Sequence, residues 1–219
     1  MSPAQKQKPA KSDLARMKGM LVIISGPSGS GKGTVVKQLN PVNGYALSIS
    51  VTTRKPREGE QNGRDYFFTS EEDFHKLRHE NALLEHAVYV GNYYGTPRKY
   101  VEEQIEKGKV VVLEIEVYGA LQVKDKFPSA ILIFLMPPSL PELARRLKNR
   151  GTEDAVTIEA RLKKALEEIP LVDRYNYLVI NDIIPDAVAK IDAIVAAERM
   201  RPVRSAAAIE CFIGSGTGV

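Results

Sequence analysis

The chain has 219 residues, 43% of them hydrophobic and 26% charged, enough for one large domain with a proper apolar core. Its formal charge of +4 invites a nucleic-acid partner, but the arginines form separate clusters rather than a stripe interleaved with aromatics, so small anions fit better than a polymer. A single cysteine, Cys211, excludes an internal disulfide and a cysteine-based metal cluster, and no apolar run approaches the roughly 18 residues that span a membrane.

Met1–Lys18 is rich in Lys, Gln and Pro, is expected to be a flexible arm, and lacks the apolar segment of a signal peptide. The chain therefore reads as cytoplasmic. Met20–Ser25 is a short β-branched run of the kind that forms a buried parallel strand, and a glycine-rich turn and a helix beginning at Thr34–Leu39 follow it. Val110–Ile115, Ala130–Leu135 and Tyr177–Ile180 are further buried-strand candidates. Helical stretches at Tyr118–Lys126, Leu140–Asn149, Ile158–Ile169 and from about Pro185 to Met200 alternate with them, which predicts an α/β fold with a parallel sheet flanked by helices. The segment from Ala46 to Tyr94 breaks this rhythm with short alternating strands at Ala46–Thr52, Tyr66–Thr69 and Glu85–Val90, and one short helix that Ser70 caps with Asp73 as its partner. It reads as a mixed, mostly antiparallel insertion. Thr96-Pro97 then looks like an N-cap and first helical residue. The tail after Met200, ending GSGTGV, is expected to be mobile.

The turn after the first strand, Gly26-Pro27-Ser28-Gly29-Ser30-Gly31-Lys32-Gly33-Thr34, carries the G-x-x-x-x-G-K spacing of a phosphate-binding P-loop. Glycines let backbone N–H groups face a phosphate, the helix N-terminus favours the anion, and Lys32 reaches the β and γ oxygens. Gly33 stands where many such loops place a Ser or Thr on Mg²⁺, with Thr34 one residue further on. Mg²⁺ is therefore expected to be held mainly by the ATP phosphates and water.

A second constellation speaks to the acceptor. Ser50-Val51-Thr52-Thr53-Arg54-Lys55-Pro56-Arg57-Glu58-Gly59-Glu60 is followed by Gly63-Arg64-Asp65-Tyr66-Phe67-Phe68, Glu85 and Gly91-Asn92-Tyr93-Tyr94-Gly95-Thr96. With the P-loop, these motifs closely resemble the guanylate kinase family of P-loop nucleoside monophosphate kinases, in order and spacing, from about Lys18 to Met200. The resemblance implies a P-loop NTPase fold spanning 19–200, a GMP-binding insertion at about 48–96, a helical lid at about 139–174, and transfer of the γ-phosphoryl group of ATP to GMP, with dGMP as a further acceptor. It also implies that Ser50, Glu85 and Thr96 read guanine, while Arg54 and Arg57, assisted by Tyr66 and Tyr94, grip the GMP phosphate. A carboxylate can accept both guanine N1–H and N2–H, whereas adenine would offer it a repelling lone pair. Guanidinium forks match phosphate oxygens bidentately.

Glu114 and Glu116 close the strand Val110–Ile115 where the family often carries an Asp-x-Asp pair. Glu116 is assigned to the guanine side and Glu114 to the Mg²⁺ water shell. In the arginine-rich segment 139–174, the resemblance gives Arg150 and Arg161 the task of bridging the transferring group, with Arg146 beside them. Asn181 and Asp182 are candidates for the adenine side. The alternatives are a catalytically inactive guanylate-kinase-like module that binds proteins, which the intact Lys32 and its glycines oppose, and a P-loop kinase with another acceptor, which Glu85 opposes. Neither a nucleic-acid polymer nor a membrane is expected as partner, and a homo-oligomer stays open.

Overall fold

A computed structural model describes residues 19–39, 44–89, 91–149, 155–205 and 209. Arg150 and Cys211 lie outside them, as do the N-terminal arm and most of the C-terminal tail.

The core sheet has five parallel strands. They are β1 (Met20–Ser25), β2 (Tyr45–Leu47), β7 (Val110–Glu114), β8 (Ile131–Met136) and β9 (Tyr177–Ile180), in the order β2-β7-β1-β8-β9. A second sheet of four strands holds β3 (Val51–Thr52), β4 (Phe67–Phe68), β5 (Leu83–Tyr89) and β6 (Asn92–Pro97), in the order β4-β3-β6-β5. Between them run α1 (Lys32–Gln38), α2 (Glu71–His79), α3 (Arg98–Glu106), α4 (Val117–Lys126), α5 (Leu140–Lys148), α6 (Ala155–Glu168) and α7 (Ile184–Arg199). Among the described residues, no helix is long and apolar enough to cross a membrane.

The period of two along β1 splits the core into two layers. Met20, Val22 and Ile24 pack with Val35, Val36 and Leu39 near α1 and with Ala187, Ile191 and Val195 of α7. Leu21 and Ile23 face the other way, onto Val101 and Ile105 of α3 and Ala120, Leu121 and Val123 of α4. Both faces of β1 are covered, so the strand reads as continuously apolar rather than alternating. Two satellite cores sit apart: Val51, Phe74 and Leu83 in the insertion, and Leu143, Leu147 and Ala165 between α5 and α6.

Three expectations are corrected. The run Ala46–Thr52 is two strands in two sheets: β2 pairs in parallel with β7, and β3 pairs with β4 in parallel and with β6 antiparallel. The change of sheet takes three residues, Ser48 N–H still donating to Val112 (2.9 Å) and Ser50 C=O already accepting from Phe67 (2.8 Å). Apolar alternation cannot register such a hand-over, because it marks faces and not sheets. Thr96-Pro97 belongs to the end of β6, and α3 starts at Arg98 with Pro97 as its cap. Thr96 does not cap, because its hydroxyl is held by a carboxylate across the sheet. The start of the tail is folded: Pro202–Arg204 forms a short 3-10 helix, and Arg204 reaches the Ser129 carbonyl (3.0 Å) and the buried Glu198 (3.5 Å). Ser70 caps α2 as expected, accepting from Asp73 N–H at 3.0 Å.

The turn leaving β1 passes directly over β8. Gly26 has φ +143°, and a Cβ built on it would stand 2.0 Å from the Leu135 carbonyl oxygen. Backbone cannot retreat as a side-chain tip can. Gly26→Ala is expected to lower stability by about 3 kcal/mol or more. Urea unfolding checks this, and an unchanged midpoint would show that the crossing is looser than described.

Candidate active site

The first half of the site lies at the carboxyl ends of β1 and β7, where open α/β sheets place their ligands. Gly31, at φ +91°, turns the chain into α1, and the space a Cβ would need is taken by the Asn181 amide (2.4 Å). Asn181 is buried and donates to Ser30 C=O at 2.8 Å, so its side chain braces the loop. Lys32 folds back along the loop, its Nζ donating to Gly26 C=O (2.6 Å) and Pro27 C=O (3.2 Å). Burial depresses the Lys32 pKa, and the nearby carboxylates of Glu116, Glu114 and Glu168 oppose that shift. Gly33 lies against Glu114: a Cβ there would meet Oε1 at 3.3 Å and Oε2 at 3.5 Å. The loop position that lacks a hydroxyl is thus flanked by a carboxylate from the end of β7.

Two of the three candidate lid arginines reach this loop. Arg161 of α6 donates to Ser28 Oγ at 2.6 Å. Arg146 of α5 lies beside Gly31, with NH1 3.9 Å from the point its Cβ would occupy, and is held by Glu142 at 2.7 Å. Arg145 also binds Glu142, and the two arginines hold that carboxyl down to about 2. Glu116, the residue before α4, accepts from Lys164 of α6 at 3.2 Å.

The second half is built by the insertion. Between Leu83 and His86 the register of β5 against β6 shifts, an irregularity of the kind that re-aims side chains. Glu85 lies in this stretch, buried, and Oε1 accepts from the Thr96 hydroxyl at 2.7 Å. Its Oε2 lies beside Gly119 of α4, 3.3 Å from where a Cβ would stand. Burial pushes the Glu85 carboxyl above its ordinary value, offset in part by the Thr96 hydroxyl and the Lys126 charge.

Arg54 donates from Nη2 to both oxygens of Glu60 (2.9 and 3.0 Å) and from Nη1 to Lys55 C=O (2.7 Å), and its guanidinium lies over the Tyr66 ring at 5.3 Å. Tyr94 meets Tyr66 edge-on at 6.1 Å. Arg57 joins through its backbone N–H, which donates to Glu60 at 2.7 Å, while its side chain is exposed. Ser50 is half-buried and is tied in by its carbonyl. Tyr93 packs on Phe74 and His75 of α2 instead.

The guanylate kinase family profile matches residues 18–198. The guanylate kinase of Latilactobacillus sakei is 50% identical over 84% of this chain and 92% of its own length, and that of Bacillus subtilis 52% identical over 86% and 94%. The crystal structure of guanylate kinase from Anaplasma phagocytophilum superposes with a TM-score of 0.66 at 35% identity, over 86% of this chain and 89% of that one. The chain belongs to the guanylate kinase family. As a guanylate kinase it is an ATP:GMP phosphotransferase.

Within this guanylate kinase, several residues of the site carried no sequence signal of their own. Glu60 lies inside the acceptor motif, but nothing in the spacing shows that it, rather than Glu58, receives Arg54. Gly119 becomes notable only once α4 is packed against Glu85. Glu168, 1% exposed at the end of α6, reads in sequence as one more charge on a polar helix.

Proposed function

We propose a division of labour for the phosphoryl transfer from ATP to GMP. Gly26, Pro27, Ser28, Gly29, Ser30, Gly31, Gly33 and Thr34 cradle the ATP phosphates with Lys32 along the β and γ groups. Arg146 and Arg161, with Arg150 from outside the described residues, neutralise charge on the transferring group. Glu85, Ser50 and Thr96 read guanine, Glu116 stands on the guanine side, and Arg54, Arg57, Tyr66 and Tyr94 hold the acceptor phosphate. The observation that carries this reading is the buried Glu85–Thr96 pair, a carboxylate oriented across a sheet with its second oxygen beside Gly119. Such a group suits the paired N1–H and N2–H donors of guanine and opposes adenine.

A GMP phosphate oxygen attacks the γ-phosphorus in line, and the bond to the β–γ bridging oxygen breaks to leave ADP. The attacking monoester is already largely ionised, so no general base is assigned. Glu114 beside Gly33 offers oxygen ligands where the loop has no hydroxyl, which suits Mg²⁺ held through water. That ion would spread the charge of the ATP phosphates. The assigned contacts fall on base and phosphate, so dGMP serves as acceptor too.

ADP formation measured with GMP, AMP, UMP or no acceptor tests the reading. Turnover that depends on GMP supports it. Equal turnover with every acceptor would sink the guanine assignment and leave the phosphate loop standing. A narrower expectation concerns the phosphate grip: Arg54→Lys keeps the charge and loses the fork, and should raise KM for GMP about 10- to 100-fold. An unchanged KM would remove Arg54 from the site.

A further inference from the structure

Arg161, Lys164 and Glu168 recur at spacings of three and four along α6 and so share one face of the helix. The two ends of that face meet the body of the domain, Arg161 at Ser28 of the phosphate loop and Glu168 in a buried position, while Lys164 between them is half-exposed. The Lys164 Nζ stands 3.2 Å from Glu116 Oε2, at the start of α4, and 3.4 Å from Glu168 Oε1. Burial pushes the Glu168 carboxyl upward, and the Lys164 charge opposes that shift. The Lys164 ammonium is the charge that lets both face the same gap.

We infer that Lys164 is a positioning residue for phosphoryl transfer, joining Glu116 and Glu168 so that α6 holds Arg161 over Ser28. This rests on the reading of Arg161 as a group that meets the transferring phosphoryl. Without the ammonium, Glu116 and Glu168 confront each other with no charge between them, and the end of α6 is driven from the core. Lys164 is assigned no nucleotide contact of its own, so the main effect falls on the rate of the chemical step, with a smaller effect on acceptor binding through Glu116.

The experiment is steady-state kinetics of the full chain with ATP and GMP, for Lys164→Met, Lys164→Arg, Arg161→Ala and the Lys164→Met/Arg161→Ala double variant. Lys164→Met should lower kcat about 10- to 100-fold, as expected when a reacting-group contact is misplaced by about an ångström, with a smaller rise in KM for GMP through Glu116. Lys164→Arg should recover most of that loss, and the double variant should be no slower than Arg161→Ala alone. Thermal unfolding confirms that each variant is folded; if Lys164→Met is not, Lys164→Gln, which keeps a donor without the charge, takes its place. Full kcat without the Lys164 charge, or a double variant slowed by the product of the two single effects, overturns the inference. If Arg161→Ala alone keeps full kcat, the assignment of Arg161 fails first and the inference falls with it. A slow Arg161→Ala beside a normal Lys164→Met refutes the inference alone.

Discussion

Lys32→Met is expected to lower kcat by at least about 10²–10³-fold, the range for deleting one preorganised donor to developing charge. The physical case is the position of its Nζ. It rests on the carbonyls of Gly26 and Pro27, inside the loop and largely out of water, where burial lowers its pKa and the carboxylates of Glu116, Glu114 and Glu168 oppose that shift. An ammonium held there is already oriented when ATP arrives, so little reorganisation accompanies the reaction. Lys32→Arg should not rescue, because a planar fork cannot take the place of a compact charge lying along the loop. Single-turnover ADP formation would measure this. A variant retaining more than about a tenth of the wild-type rate would show that the helix N-terminus and the arginines suffice.

Glu85→Gln should cut kcat/KM for GMP by about 10²–10⁴-fold while leaving the ATP side unchanged, because an amide offers only one acceptor and turns a donor toward the guanine edge. The site also predicts a pH signature. Burial raises the Glu85 carboxyl, and the proposed guanine contact uses its ionised form. As pH falls through that raised value the carboxylate gains a proton, so GMP recognition should weaken at a pH where an exposed glutamate would still be charged. Folding runs the opposite way: a carboxyl raised in the folded state contributes more to stability in its protonated form, and that contribution fades as pH rises from the unfolded to the folded value. The acid limb of kcat/KM for GMP, compared between wild type and Glu85→Gln, separates Glu85 from the phosphate of GMP itself. If the limb is the same in both, Glu85 does not titrate in the recognition step.

The first half of the site was legible because its chemistry is local. Gly26 to Thr34 hold the loop within nine consecutive positions, and a β-branched strand before it and a helix after it dictate which way the backbone amides face. The buried strands Met20–Ser25, Val110–Glu114 and Ile131–Met136 were equally plain, since a strand covered on both faces leaves an uninterrupted apolar run. The candidate acceptor residues were proposed only through the resemblance of their motifs, because composition and spacing say nothing about what Glu85 or Arg54 would meet.

What tertiary structure alone decided is which polar groups meet across sequence distance. Thr96 spaces like a helix cap, yet the pairing of β5 with β6 delivers its hydroxyl to Glu85 and leaves the capping position to Pro97. Tyr45–Leu47 and Val51–Thr52 look like one strand, yet they belong to two sheets. Arg161 and Lys164 look like ordinary charges on a solvated helix until α6 docks and sets one on Ser28 and the other between Glu116 and Glu168. Periodicity and propensity are properties of neighbours in the chain, so the sequence determined the strands, the phosphate loop and the family. The partner of a buried charge is set by packing between distant elements, and only the folded chain supplies it.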